Sequence, residues 1–263
     1  MKTILITGAT SGIGHALALH YACDGVRLIL TGRNPERLQD VTGACRDLGA
    51  EVHSAMLDVR ARDVISPWLV DMDRRFQINL LIANAGISGG TGKADGSMSA
   101  ISEDPQQVKD VFDININGVI NTVSPIISRM QERQTGQIAI MSSLASFSAW
   151  PTAPAYAASK AAVRIYGESL RGAYKKDGVK INVICPGFIK TPMTDINPYK
   201  MPFLMPADKA AAYMARALDK NKGRIAFPLP TYLIAGFIGM LPSSWALALL
   251  SRFPSKPANI TAE

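Results

Sequence analysis

Short apolar runs rich in β-branched residues punctuate this chain, each closed within two residues by glycine, asparagine or serine. Lys2-Thr-Ile-Leu-Ile6, Val26-Arg-Leu-Ile-Leu30, Leu80-Leu-Ile-Ala83 and Gln137-Ile-Ala-Ile-Met141 are examples. Runs this short and this continuous predict strands of a parallel sheet buried on both faces. Between the first two, Gly8, Gly12 and Gly14 lead into a helix expected over His15 to Ala22, which carries alanine and leucine. Strand, tight turn, helix and strand make a βαβ unit. An alternating strand is expected before Asp58-Val59, and Gly223-Arg-Ile-Ala-Phe227 reads as the last strand.

The alternation of strands and helices continues along the chain, so the expected fold class is α/β. One domain is expected over residues 1–263, with a core of 1–227 and an apolar extension of 228–263. The 263 residues are 48% hydrophobic, enough to bury a sizeable core. No segment repeats with a period of a few tens of residues. Ser88 to Asp104, rich in glycine and serine, is expected to be a loop between the fourth strand and the next helix.

The formal net charge of +7 suits a polyanionic cofactor or an anionic membrane surface. Its lysines and arginines are dispersed, with no dense basic block and no aromatic-studded basic face, which argues against nucleic acid. Arg171, Lys175 and Lys176 are expected to form a solvated face near a helix end. Cys23, Cys45 and Cys185 are odd in number, widely spaced and set among apolar residues, so buried free thiols in a reducing compartment are expected. His15, His20 and His53 make no ligand spacing with them, and no metal is expected. The first apolar run is too short for a signal peptide, which makes the cytoplasm the expected location.

Two clusters carry candidate chemistry. The run Thr7-Gly-Ala-Thr-Ser-Gly-Ile-Gly14 lets the backbone turn sharply and approach a pyrophosphate, to which the following helix presents unpaired N–H groups and its positive dipole end. Tyr156-Ala-Ala-Ser-Lys160 places a phenol and an ammonium at i and i+4, on one helix face. The ammonium is expected to lower the phenol pKa from roughly 10 towards the range in which it can exchange protons. Ser142 and Ser143 end an apolar strand, and because successive strand residues point to opposite sides, only one of them can face a cleft.

These residues, in this order, resemble the short-chain dehydrogenase/reductase family in its roughly 250-residue form, from Lys2 to about Phe227. The resemblance implies a Rossmann-type, doubly wound, mostly parallel sheet of about seven strands. It implies a cofactor site made by Gly8, Ser11, Gly12, Ile13 and Gly14. Asp58 and Val59 match the pair beside the adenine, and Asn84-Ala85-Gly86 the fourth-strand motif. Pro186, Gly187, Ile189 and Thr191 match the segment that grips the nicotinamide half. Family spacing selects Ser143, thirteen positions before Tyr156, as the residue that orients the substrate. Tyr156 is then the proton donor, Lys160 its partner and a ribose ligand, and Asn115 the holder of a water behind Lys160. The implied reaction is reversible hydride transfer between NADP(H) and a small apolar carbonyl or alcohol, lipid-like or steroid-like. NADP(H) is expected over NAD(H) because Gly32 stands where an NAD site usually has an acid, and Arg33 follows with Asn34 and Ser11 nearby. A nucleotide-sensing or membrane-scaffold protein of the same fold is the alternative, but Tyr156 and Lys160 are both present.

Family members pair this helix across a two-fold axis, and the small residues Ala157, Ala158, Ala161 and Ala162 suit that, so a homodimer or higher homo-oligomer is expected. Thr191 to Met205, with Met193, Tyr199, Met201, Phe203 and Met205 among Pro192, Pro198 and Pro202, is expected to be an apolar lid over the substrate. Ile225 to Ser251 contains no charged residue. Pro228, Pro230 and Pro242 break it into two expected helices, Tyr232 to Met240 and Ser244 to Phe253, with Trp245 near the break and Arg252 and Lys256 beyond. They form either a cover over the cleft and subunit interface or a peripheral hairpin dipping into one membrane leaflet.

Overall fold

The computed structural model describes residues 1–91, 103–197 and 199–253. Most of the segment expected as the Ser88 to Asp104 loop, together with Pro198 and Lys256, lies outside the described residues. The chain alternates strand and helix as far as its last strand: β1 (Lys2–Thr7), α1 (Gly12–Tyr21), β2 (Val26–Gly32), α2 (Pro35–Asp47), β3 (Glu51–Met56), α3 (Arg62–Phe76) and β4 (Leu80–Ala83). Then come α4 (Pro105–Phe112), a π-helical turn (Asp113–Asn117), α5 (Gly118–Glu132), β5 (Gly136–Met141), a 3₁₀ turn (Leu144–Phe147), α6 (Pro154–Ala173) and β6 (Val179–Pro186). The remainder is β7 (Ile189–Lys190), α7 (Pro192–Asp195), β8 (Met205–Pro206), α8 (Ala207–Asp219), β9 (Arg224–Phe227), α9 (Leu229–Met240) and α10 (Ser243–Leu250).

Among the described residues the main sheet has seven strands in the order β3-β2-β1-β4-β5-β6-β9. Every neighbouring pair in it is parallel. Strand pleating divides the apolar runs between two cores. Ile4, Ile6, Leu28, Leu30 and Ile82 face α1, α2 and α8, while Leu5, Ile29, Leu81, Ile138 and Ile140 face α3, α5 and α6. That is why the strands read as continuous runs and not as alternations. The chain winds outward from β1 to β3, returns to β4 and winds the other way to β9. Its direction therefore reverses between β1 and β4, and the crevice beyond their carboxyl ends is where such a sheet binds ligands.

The opposite edge of the sheet is closed by charge. Asp73, fully buried in α3, accepts bonds from Arg129 Nε at 2.5 Å, from Arg133 at 2.8 Å and from the Ile78 backbone N–H at 3.0 Å. Arg133 also donates to the Ile78 carbonyl at 2.7 Å, so the clamp ties α3 and α5 to the entry of β4.

Several expectations change. α1 begins at Gly12, within the glycine turn, rather than at His15. Cys45 and Cys185 are buried but Cys23 is exposed, because it stands in the polar turn before Asp24-Gly25 and not on the apolar face of α1. Lys175 and Lys176 are exposed as expected. Arg171 is not part of a solvated face. Its guanidinium donates to the Ile181 carbonyl at 2.5 Å and to Asn221 Oδ1 at 2.9 Å, stitching α6 to the turn before β9. α9 starts at Leu229 rather than Tyr232, since Pro230 sits in its first turn, where a missing N–H costs nothing. α10 ends at Leu250 rather than Phe253. The expected lid is partly ordered by α7 and by the short β7–β8 pairing. No described helix is long and apolar enough to cross a membrane.

Candidate active site

A cleft of about 380 Å³ opens over the carboxyl ends of β1, β2, β4, β5 and β6. Lining it are Gly8, Ser11, Gly12, Ile13, Arg33, Asp58, Val59, Asn84, Ala85 and Gly86. Ser143, Tyr156, Lys160, Pro186, Gly187, Ile189 and Thr191 line it too. The structure thus brings together the expected site residues except Gly14, which packs against the Gly8 carbonyl, and Asn115, which lies behind the wall. From β2 to β5 is three strand spacings, about 14 Å, so Arg33 and Tyr156 stand well apart along the cleft.

The glycine turn is held close against β4. Thr7 Oγ1 accepts from the backbone N–H groups of Asn84 and Ala85 at 3.1 and 3.2 Å. The Asn84 amide donates back to the carbonyls of Thr7 and Gly8 at 3.0 and 3.1 Å. A Cβ on Gly8, whose φ is +67°, would come within 2.8 Å of the Ala85 Cα. One on Gly14 would meet the Gly8 carbonyl oxygen at 2.1 Å. Ser11 occupies the N-cap of α1 but its hydroxyl caps nothing, and it lines the cleft with Thr10. Backbone this close-packed, facing a helix N-terminus without side-chain capping, fits a pyrophosphate.

At the β2 end, Arg33 shares the wall with Thr10, Asn34 and Arg37. Asn34 is the N-cap of α2, accepting the Arg37 N–H at 2.9 Å, so its carbonyl serves the helix. Sequence reasoning missed Arg37. The available signal was Asn34-Pro35, an N-cap and first-turn pair that puts Arg37 in the opening turn. Asp58 is pushed up by burial, yet bonds and charge from Arg60 and the charge of Arg33 hold its carboxyl below the usual range. The Arg60 guanidinium lies 2.6 Å from it, another partner that the sequence did not announce.

At the β5 end the pleat separates the two serines. The Ser142 hydroxyl is buried and donates to the Lys160 carbonyl at 2.7 Å, fixing α6 to the sheet. Ser143 faces the cleft, hydrogen-bonds the Tyr156 phenol and accepts the Ala145 N–H at 3.1 Å, which starts the 3₁₀ turn. The Lys160 ammonium donates to the Met141 carbonyl at 3.1 Å and lies 5.9 Å from the centre of the Tyr156 ring. Burial brings its pKa down to about 8, with the Cys185 thiol opposing. The Tyr156 phenol is raised by burial, and the Ser143 hydrogen bond offsets only part. The expected lowering by Lys160 therefore does not appear in the protein alone, where desolvation dominates.

Asn115 is fully buried in the π-helical turn. Its Oδ1 accepts the Ile87 N–H at 2.8 Å, while Nδ2 donates to the Ile87 carbonyl and to Ser159 Oγ, each at 2.9 Å. The side chain clamps the loop after β4 to the helix of Tyr156 and Lys160. Thr191, expected as a cofactor contact, forms a capping box with Thr194 at the start of α7 and faces Gly12 across the cleft.

Fold and cleft together define an oxidoreductase built on a dinucleotide-binding sheet. The family model described as short chain dehydrogenase matches residues 2–200, and the chain belongs to that family. It is 34% identical over 228 residues to an uncharacterized oxidoreductase of Myxococcus xanthus, covering 86% of this chain and 87% of that one. It is 31% identical over 195 residues to a protein of Mediterraneibacter gnavus named 3beta-hydroxysteroid dehydrogenase, covering 74% and 68%. A short-chain dehydrogenase from Sphingobium yanoikuyae in complex with NADPH superposes with a TM-score of 0.78 at 21% identity, covering 100% of this chain and 98% of that one. One from Mycobacterium paratuberculosis bound to NAD gives 0.75 at 22%, covering 88% and 98%.

Proposed function

We propose that this protein reversibly reduces an apolar ketone to a secondary alcohol with NADPH. The observation that carries the reading is the convergence, in one cleft, of a glycine cradle, two arginines at its β2 end and a hydrogen-bonded Ser143–Tyr156 pair at its β5 end. Gly8 to Gly14 would hold the pyrophosphate, Arg33 and Arg37 a 2′-phosphate, and Lys160 a ribose. When bound, the cofactor supplies the hydride.

Ser143 Oγ and the Tyr156 hydroxyl would together grip the substrate oxygen, and Tyr156 would give its proton to that oxygen as the alcohol forms. The resulting phenolate is poorly solvated, and the Lys160 ammonium is the nearest cation to it in the site. With a pKa of about 8 that ammonium is mostly charged at neutrality, so it opposes the burial effect when phenolate develops. Asn115 acts indirectly, through Ile87 and Ser159.

The substrate wall supports an apolar ligand: Ile87, Met193 and Ile196 line the cleft, with Leu144 behind Ser143. The M. gnavus relative puts steroids first in a screen that also holds 3-ketoacyl esters, ketosphinganine and retinal. NADPH oxidation by the purified protein tests the reading; failure on every ketone, with cofactor binding intact, would favour a nucleotide sensor.

Homodimer formation through α5 and α6 belongs to the same proposal. Ala157 is buried, but Ala158, Ala162 and Ile165 are exposed at helical spacing on α6, and Ile120 is exposed on α5. A monomer by light scattering would overturn it. The free cysteines support a reducing, cytoplasmic compartment.

A further inference from the structure

The two helices after β9 carry an apolar face that the reaction does not use. On α9, Leu229, Leu233, Phe237 and Met240 recur at intervals of four, four and three residues, forming one stripe along the helix. Phe237 is 60% and Met240 79% exposed, and Trp245 at the start of α10 is 67% exposed. The opposite faces are occupied: Ala235 packs with Leu144 and Cys185, and Ile238 with Ala246 and Leu250. The exposed stripe is therefore not a badly folded core helix but the outer side of a docked pair.

The surroundings of the stripe indicate its occupant. A protein–protein interface surrounds its apolar centre with polar and charged groups that satisfy hydrogen bonds at the rim. Here Ile225 to Ser251 holds no charged side chain, and the charged residues bounding that stretch, Arg224 and Arg252, are both cations. Arg224 is neutralised by Glu168 of α6, at 2.7 Å, and the sequence places no acid after Asp219 until Glu263. A bilayer surface needs no rim. Acyl chains accept the stripe, an exposed tryptophan suits the glycerol level, and cations meet lipid phosphates. With 12 and 8 residues, α9 and α10 are each too short to span.

We propose that α9 and α10 dock this protein on an anionic lipid surface, lying flat with the α9 stripe in the outer acyl region and Arg252 at the headgroups. α9 rests on the 3₁₀ turn that follows Ser143, so the substrate end of the cleft would stand beside the lipid. This goes beyond the proposed reaction and does not depend on it.

The full chain is sedimented with vesicles of phosphatidylglycerol and phosphatidylcholine in equal parts, and with phosphatidylcholine alone. Binding to the anionic vesicles is expected, falling about tenfold in Phe237→Asp and in Met240→Asp, because each forces a carboxylate into the acyl boundary. Brominated acyl chains should quench tryptophan fluorescence in the parent but much less in Trp245→Phe. Unchanged NADPH binding by the variants establishes that they fold. Met240 is so exposed that its variant serves if Phe237→Asp does not fold. Failure to sediment, or variants that sediment like the parent, would overturn the proposal. Equal binding to neutral vesicles would overturn the anionic assignment. A lipid-free dimer that Phe237→Asp dissociates would assign the stripe to a second copy.

Discussion

Replacing Lys160 by methionine should stabilise the protein while abolishing its chemistry. The ammonium is buried against β5 and its pKa falls from 10.5 to about 8. At about 1.4 kcal/mol per pH unit, that depression is a cost of roughly 3 kcal/mol for folding with the charged form. The sign follows from linkage: below about 8 both folded and unfolded chains carry the proton and the full cost is present. As pH rises from about 8 towards 10.5 the folded protein sheds its proton first, and the cost fades. Methionine has similar length and no charge, so it removes the cost. It also removes the charge-assisted bond to the Met141 carbonyl, worth about 1.5–3 kcal/mol. A net gain of up to about 1.5 kcal/mol remains at neutrality, or up to about 3–6 °C in Tm for a domain of this size. Urea or thermal unfolding of parent and variant across the neutral to alkaline range measures the difference. The gap should be widest near neutrality and close as pH approaches 10.5. A variant that melts below the parent, or a gap that does not change with pH, would refute the burial argument.

Tyr156→Phe should keep cofactor affinity but lower kcat by at least about 100-fold, since it removes the proton donor that hydrogen-bonds Ser143 while retaining the ring; steady-state rates with fluorescence titration of NADPH measure both. Gly14→Ala should weaken cofactor binding and destabilise the protein, although alanine in a helix normally gains about 0.5–1 kcal/mol, because its Cβ would lie 2.1 Å from the Gly8 carbonyl oxygen. Gly43→Ala in α2, whose Cβ meets nothing within 4 Å, is the control expected to keep the normal sign; a Gly14→Ala protein as stable as Gly43→Ala refutes the close-approach reading. Arg33→Ala should weaken NADPH binding by roughly ten- to hundredfold, the loss of a charge-assisted hydrogen bond, and leave NADH nearly unchanged; equal or tighter NADH binding by the parent would end the NADPH assignment.

What the sequence disclosed is mostly what depends on near neighbours. Ile4 and Ile6 enter one core and Leu5 the other, and a run apolar on both sides is the direct signature of a strand covered twice. The choice between Ser142 and Ser143 needed only the pleat, combined with family spacing. What stayed hidden depends on residues far apart in the chain. The partners of Asn115 lie 28 and 44 residues away, so nothing local revealed that its amide would be occupied by Ile87 and Ser159. Arg171 looked like a helix-end cation because Asn221 is fifty residues further on. The i, i+4 spacing of Tyr156 and Lys160 was correct about proximity but silent about desolvation, which is set by the whole wall and reverses the expected direction for the phenol.

The two ends of the sheet handle buried charge in opposite ways, and this difference assigns their roles. At the amino ends of the strands Asp73 meets two guanidinium groups and a backbone N–H, and removing one partner from such a buried cluster typically costs about 3–5 kcal/mol. At the carboxyl ends Lys160 has one carbonyl acceptor and, among the described residues, no carboxylate within ion-pair distance, so its charge is not offset as that of Asp73 is. If the sheet needed a cation there only for packing, a satisfied pair like that of Asp73 would serve, or a methionine would serve better. In the proposed reaction, an ammonium kept at a cost comparable to a fair part of a domain's total stability of about 5–15 kcal/mol is explained by what it does when negative charge arrives on Tyr156. Strain of this kind is the physical argument for placing the proposed chemistry at the carboxyl edge and not at the clamped amino edge.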